Sequence, residues 1–543
     1  MASEVLSNAL SLLSGYLMQN YNDSEQETIR NEVQRLVGET FPEWTEAEQR
    51  CSYQDVQDRL SCINEKESIR KHKGVYYTPE DIVKFILTNS VKLLYGKLNA
   101  ENFSVMELNI SYRDFCFEKT VYDPTCGSGV FLLAALNMKL DLLVKYHMNA
   151  DRDEIRKVVA SIQGNDLNRD SIALTKIRLF LCVLHRCGVA FIRGLAERME
   201  RCFATYDFVS EKPKEGIQYD IVLGNPPYVE DSKSDSIPPK KYGNIYANVL
   251  EHAAVHLKPG GALGFVIPLS YVSTPRMKKI REELYRRIPR QYILSFSDRP
   301  DCLFTAVHQK LCVLFGKNDG ENMEVYTGNY RYWYREERQE LFRTMEIVKN
   351  NFVTEGYIPK LGTVSDVNIY QKIISQKTHL VDWMKAGSDS VCLNMRAAFW
   401  MKAFRSVHSG GEYKEFFCDG QSAANYCMCL LNSSLFWWYW ICVSDCWHIT
   451  GKELRGFKVP PVDDFQEADR LAAALEKRLE ETKVYVGTKQ TQYEYKHREC
   501  VDDIHAIDDY IHALYGLTET EGRYIKDFAY RYRISGGVEH GRN

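Results

Sequence analysis

Four residues in a row, Asn225-Pro226-Pro227-Tyr228, follow directly on the strand-like stretch Asp220-Ile221-Val222-Leu223-Gly224. Two adjacent prolines have no N–H to give a strand ladder, so they end the strand in a stiff turn whose carbonyls stay uncommitted. The strand thus delivers an amide, a carbonyl and an aromatic ring to one small space. That set suits a planar ring carrying an exocyclic amine. Asn225 Oδ1 and the Pro226 carbonyl can accept the two amine hydrogens, Pro227 stiffens the turn, and Tyr228 can stack on the ring. Holding both hydrogens draws the nitrogen lone pair out of conjugation and makes it nucleophilic without a strong base. The alternative is a plain loop with two prolines.

A second set lies upstream. Thr120-Val121-Tyr122-Asp123-Pro124-Thr125-Cys126-Gly127-Ser128-Gly129-Val130 reads as a short strand, a Gly-rich turn and a helix start, where backbone can approach a ligand closely. It lacks the Gly-Lys-Ser/Thr ending of a phosphate loop and the third glycine of a dinucleotide fingerprint, so the ligand need not be a polyphosphate. Asp166 closes the next strand, in Gly164-Asn165-Asp166-Leu167, and an acid at that place can hold a ribose diol. Ala204-Thr205-Tyr206-Asp207-Phe208-Val209 is a candidate third strand end. Ahead of all of them, Tyr77-Thr78-Pro79-Glu80 leads into a helical pattern, with Thr78 expected as N-cap and Pro79 in the first turn.

The elements that must position these residues alternate strand and helix, which predicts an α/β fold with a doubly wound, mostly parallel sheet and its ligands at the carboxyl ends of the strands. The chain has 543 residues, 45% of them hydrophobic and 26% charged, enough for a full core and roughly three to four domains. A net charge of −4 gives no support to nucleic-acid binding, although binding needs only a local basic face. Sixteen cysteines without a framework spacing, and no signal peptide, point to a reducing cytoplasm. Cys442, Cys446 and His448 fit no common zinc pattern, so no metal is expected. The apolar run Cys427–Val443 is interrupted by Asn432, Ser433 and Ser434 and falls short of a membrane span.

Taken in order, Tyr-Thr-Pro, Asp-Pro-Thr-Cys-Gly-Ser-Gly, Asp-Leu-Asn, Tyr-Asp-Phe and Asn-Pro-Pro-Tyr resemble the gamma class of S-adenosylmethionine-dependent adenine-N6 DNA methyltransferases. The long single-chain members of restriction-modification and phage-exclusion systems are the most similar. The resemblance implies a Rossmann-like, class I methyltransferase domain with S-adenosylmethionine as cofactor. Tyr77, Thr78 and Pro79 would line its methionine end. Asp123, Thr125, Cys126, Gly127 and Gly129 would cradle its backbone, Asp166 beside Leu167 would take the ribose, and Asp207 and Phe208 would hold the adenine. It also implies that Phe304 stands on the far side of a flipped target base from Tyr228; a core phenylalanine is the alternative. Double-stranded DNA would be the substrate, with separate restriction or phage-defence subunits as possible partners and no membrane.

Four segments follow from this reading. Residues 1–70 form an N-terminal helical segment, 71–330 the catalytic domain, 331–465 an α+β target-recognition domain, and 466–543 a C-terminal helical region. A helix over Thr274–Arg290 carries seven basic residues, which suit either a solvated face or phosphate contacts. Most aromatics between 391 and 460 are expected in the core. Two other readings keep the same motifs: a methyltransferase of this fold acting on RNA or a glutamine amide, and a non-catalytic DNA-binding subunit.

Overall fold

In a computed structural model the helix–strand alternation becomes a nine-stranded sheet. The structure describes residues 3–42, 51–63, 78–99, 113–211, 216–304, 308–320, 322–354, 356–408, 411–487 and 493–535. Tyr77 lies outside the described residues. The strands are β1 (Val121–Asp123), β2 (Ile162–Asp166), β3 (Phe203–Thr205), β4 (Tyr219–Gly224), β5 (Leu257–Pro268), β6 (Arg290–Phe296), β7 (Leu311–Lys317), β8 (Glu324–Arg331) and β9 (Val348–Lys349). Their order is β3-β2-β1-β4-β5-β7-β6-β8-β9. The pairs β2–β3, β1–β2, β1–β4 and β4–β5 are parallel, and β8–β9 is antiparallel. The fold is therefore the expected doubly wound, mostly parallel α/β sheet.

The chain divides into two compact units. The first comprises Met1–Pro268, Arg276–Ile293 and Cys312–Val325. Its strands β1 and β4 are buried throughout, as parallel strands covered by helices must be. Helices Val130–Lys145 and Arg169–Cys187 follow β1 and β2, and Glu80–Leu94 lies against β4 and β5. At the amino ends of the strands the Asp220 carboxylate accepts from Thr120 N (3.0 Å), Thr120 Oγ1 (2.9 Å) and Lys258 Nζ (2.7 Å), tying β1, β4 and β5 together. The N-terminal helices Glu4–Asn20, Asp23–Val37 and Tyr53–Cys62 pack on Arg169–Cys187, so this segment is built into the unit that holds the motifs.

Three local expectations are corrected. Thr78 is not the N-cap: Pro79 occupies that position, extended at φ −56° and ψ 146°, and the helix begins at Glu80. A proline pushes the residue before it out of helical conformation, and the Thr78 hydroxyl is engaged elsewhere. The third strand stops at Thr205, two residues short of Asp207. The basic helix is shorter than expected. Pro275–Met277 is a 3₁₀ turn, the α-helix spans Lys278–Arg287, and Arg290 opens β6, paired with Asp319 and Glu324.

The second unit comprises Leu269–Pro275, Leu294–Leu311 and Tyr326–Asn543. Its core is the helix pair Gln421–Asn432 and Ser434–Val443, bent by 59°. Trp437, Trp438 and Trp440 are fully buried, and each indole N–H finds an acceptor: Ala398 O (2.9 Å), Asp366 Oδ1 (3.2 Å) and His448 O (3.2 Å). Burial pushes the Cys442 and Cys446 thiols up, which keeps both as neutral core side chains. A three-stranded antiparallel sheet (Asp389–Asn394, Ala403–Phe404 and Tyr413–Cys418) stands within the 331–465 segment. Leu471, Leu475 and Leu479 line the buried face of the helix Gln466–Thr482. No single helix among the described residues is long and apolar enough to cross a membrane.

Lys139 gives a pH test of the first unit. Its ammonium is fully buried in helix Val130–Lys145 and donates to Lys119 O and Ser161 Oγ, both at 2.6 Å. Burial lowers its pKa from 10.5 to about 7. Between those values the unfolded chain binds the proton and the folded one does not, so this group makes stability rise with pH from about 7 to 10.5. Denaturant unfolding followed across that window should show the rise in the wild type and a flatter profile in Lys139→Met.

Candidate active site

The carboxyl ends of β1, β2, β3 and β4 lie at one edge because the strands are parallel, and the sequence motifs stand there. β1 ends in Asp123, 1% exposed, whose Oδ1 accepts from Thr125 N at 3.0 Å. Burial, and secondarily the charge of Asp166, pushes the Asp123 carboxyl well above the usual carboxylate range. Pro124 to Gly129 then turn back into the helix that starts at Val130. Gly129 needs to be glycine on two counts: its φ is +77°, and a Cβ there would meet Thr175 Cγ2 at 2.6 Å.

Every step of this turn is tied down. Cys126 N donates to Asn165 O and Gly127 N to Asp166 Oδ2, both at 2.9 Å. Thr175 Oγ1 donates to Gly127 O at 2.9 Å, and Arg178 Nη1 donates to Ser128 O. Asp166 also accepts from Asn168 N at 2.8 Å, and Leu167 beside it is 61% exposed. The Cys126 thiol is buried and pushed well up by that burial, so it is a packing group. Asp207 folds back on its own turn, with Oδ1 accepting from Val209 N (3.0 Å) and Ser210 N (3.1 Å) and Oδ2 from Ser210 Oγ (2.6 Å). Burial alone would raise its pKa; the Ser210 and Val209 bonds outweigh that and hold it below the usual range. Phe208, 4% exposed, sits among the rings of Tyr122, Tyr206, His252 and His256.

β4 delivers the Asn-Pro-Pro-Tyr turn next to β1. Asn225 Nδ2 donates to Thr78 Oγ1 at 3.0 Å, which fastens the start of the helix Glu80–Leu94 to the turn and makes Oδ1 the acceptor end of the amide. Thr78 is 2% exposed. Pro226 is buried and Pro227 half-buried. Tyr228 donates its hydroxyl to Val266 O on β5 at 2.9 Å, so the ring is held at its far end. The structure thus brings Thr78, Pro79, Asp123 and the Gly-rich turn together with Asn225. Phe304 belongs to the second unit, where it is 1% exposed and its carbonyl accepts from Cys302 Sγ.

Two parts of the edge were not legible from the sequence. Asn165, 1% exposed, donates through Nδ2 to Pro124 O and Tyr206 O (3.1 Å each) and accepts from Tyr206 N (3.2 Å), so one amide joins the ends of β1, β2 and β3. An amide next to the strand-ending acid was its only signal. The other part comes from the N-terminal segment. Gln57 Oε1 accepts from Arg178 Nε (3.1 Å), Gln57 Nε2 donates to Arg178 O (3.0 Å), and Ser128 Oγ donates to Ser61 O (3.2 Å). This segment, expected only as an N-terminal helical segment, braces the Gly-rich turn.

A mostly parallel sheet with a Gly-rich turn after its first strand and acids at the next strand ends defines a class I methyltransferase fold. The N-6 DNA methylase family model matches residues 64–357, and the chain belongs to that family. It is 22% identical to the type II restriction enzyme and methyltransferase RM.Eco57I of Escherichia coli over 53% of this chain and 32% of that one. It is 26% identical to the type II methyltransferase M.BstVI of Geobacillus stearothermophilus over 42% of this chain and 39% of that one. The chain therefore spans only about a third of the length of these relatives. Among solved structures it shares its fold with the type IIL restriction-modification enzyme MmeI in complex with DNA. The TM-score is 0.55 at 12% identity, covering 97% of this chain and 93% of that one.

The brace on the turn is testable without any ligand. Gln57→Leu removes both bonds to Arg178, and Thr175→Val removes the bond to Gly127 O. A buried hydrogen bond contributes about 1–1.5 kcal/mol, so amide hydrogen exchange in the 125–130 segment should quicken about tenfold in each variant. Unchanged protection in Gln57→Leu would mean that the N-terminal segment does not support the turn.

Proposed function

We propose that the chain transfers a methyl group to the exocyclic N6 amine of an adenine in double-stranded DNA, as the modification activity of a restriction-modification or related defence system. The carrying observation is the Asn225 amide, anchored by Thr78 at the end of a strand beside the Gly-rich turn. Asn225 Oδ1 and the Pro226 carbonyl accept the two hydrogens of the target amine and leave its lone pair directed away from the ring. Tyr228, pinned through its hydroxyl, offers a face for stacking. The amine is out of reach inside a duplex, so the base must be flipped from the stack.

The residues around the turn fit S-adenosylmethionine. Backbone from Asp123 to Gly129 is rigid and close to the strand edge, and Asp166 stands beside it. A carboxylate offers about four acceptor sites, so bonds to two backbone amides are compatible with a ribose diol. When bound, this cofactor supplies a methyl on a cationic sulfur that departs as a neutral thioether. The amine nitrogen forms the new bond to carbon and afterwards sheds one proton to water. The chain's own contribution is positioning, which can supply most of the rate in such a displacement. We assign target recognition to residues 331–465. There Trp447 is 40% exposed, with Lys310 and Arg396 over its ring at 4.3 and 5.1 Å.

Single-turnover transfer to DNA, together with long-read sequencing of DNA from a methylation-free host expressing the chain, tests this reading. Modified adenine in one sequence motif is expected. Asn225→Ala should bind cofactor and duplex within a few-fold of wild type and transfer at least about a hundredfold more slowly, the scale of losing one preorganised partner. Thr78→Val, which keeps the shape but not the hydroxyl, should cost about tenfold, and Thr78→Ser should restore most of it. Normal transfer by Asn225→Ala would overturn the mechanism, and modification confined to another base would overturn the substrate.

A further inference from the structure

A cleft of about 370 Å³ opens on the first unit. One wall is the segment Lys240-Lys241-Tyr242, and the other is the helix Lys278–Arg287, through Lys279, Glu282, Glu283 and Arg286. Four cations therefore face two carboxylates. Glu283 is already spent on Arg286 (2.5 Å) and Arg287 (3.2 Å), and Glu282 stands 3.7 Å from Lys278. Lys240 pairs with Glu251, which also accepts the Tyr242 hydroxyl at 2.9 Å. Lys241 and Lys279, one from each wall, make no ion pair among the described residues. They are the surplus charge of the cleft.

The position of this cleft in the chain gives the surplus a use. The segment that carries Lys240 and Lys241 follows directly on the Asn-Pro-Pro-Tyr turn. It returns at once to its starting point: Ile245 N donates to Val229 O at 2.9 Å, and Gly243 N donates to Asp231 Oδ2 at 2.7 Å. The loop is closed at its foot, so its lysines are tethered to the end of the Asn-Pro-Pro-Tyr turn. The side chain of Arg276 lies against Gly243 and adds a further cation beside the loop. We propose that this cleft binds a backbone phosphodiester of the DNA, with Lys241 and Lys279 as its two contacts, and that the contact sets the register of the duplex relative to the Asn225 turn. The inference rests on the DNA methyltransferase reading and adds a specific anchoring point to it. Lysine is a compact point charge suited to phosphate. Contacts of this kind position a duplex without reading its sequence.

The test is a salt titration of duplex binding, using a duplex that contains the methylated motif, for wild type, Lys241→Ala, Lys279→Ala and the double variant. Lys157→Ala, which removes an exposed lysine from another helix of the same unit, serves as the control. Each lost phosphate contact should lower the slope of log Kd against log salt by about 1, and the double variant by about 2. Lys241→Glu should weaken binding further than Lys241→Ala. Single-turnover transfer should slow in step with the lost contacts, most in the double variant, while the methylated motif stays the same, since phosphate contacts carry no sequence information. A wild-type slope in the double variant, or an equal loss in Lys157→Ala, would overturn the site while leaving the methyltransferase reading intact. A wild-type chain that neither binds nor methylates DNA would overturn both. Thermal melts of the variants separate these outcomes from unfolding.

Discussion

The site depends on how closely β1 and β4 approach at their carboxyl ends. The two strands run in parallel register, Val121 opposite Ile221 and Tyr122 opposite Val222. One step further, the Asp123 carboxylate fills the space where a side chain at position 224 would be, with Oδ1 2.6 Å from the site of a Cβ on Gly224. Gly224 is glycine because the acid is there. Any larger residue would push the Asn-Pro-Pro-Tyr turn away from the strand that begins the Gly-rich turn. The two motifs, about a hundred residues apart in the chain, are held as one edge by this missing side chain and by the Asp123 carboxylate that takes its place.

Charge at that edge is arranged with equal care for environment. Asp123 is sealed from water, and burial drives it toward the neutral form. Asp207, in a more open place, is drawn the other way by the backbone and hydroxyl of Ser210. Asp166 spends its oxygens on the amides of Gly127 and Asn168. In the proposed transfer a cation becomes neutral, so a full carboxylate charge beside the donor sulfur would favour the starting state. Burial that moves the Asp123 carboxyl toward its neutral form, with the other acids at the neighbouring strand ends, lowers that cost.

What the sequence revealed and what it hid divide along a physical line. Strand ends, glycines, prolines and the acids beside them were legible because each is required by backbone conformation within a few residues. The parallel sheet was legible from the alternation of apolar runs. Long-range bonds between a side chain and a distant backbone group leave no such periodic trace. Asn165 ties three strand ends, Gln57 meets Arg178 across 121 positions, and Thr78 meets Asn225 across 147. Thr78 was misplaced for the same reason: a hydroxyl before a helix looks like a cap until its distant partner is known. The basic helix was overlong in the sequence because charged residues continue through the 3₁₀ turn and into β6, where no change of composition marks the boundary.

These distant bonds explain how the amide proposed to hold the target amine can work on a turn rather than on a rigid element. Two prolines fix the backbone at 226 and 227, but they leave the Asn225 side chain to choose its own rotamer. An amide free to rotate presents its donor as often as its acceptor, and a donor facing an amine repels it. Thr78 restricts that freedom by taking Nδ2, and it can do so because it is itself buried at the start of a helix packed along β4 and β5. Tyr228 is restrained in the same way from β5, through Val266. The turn therefore inherits the rigidity of the sheet and the helix on either side of it. Geometry set before the substrate arrives costs nothing at the moment of reaction, which is the condition for chemistry that relies on placement and uses no strong base.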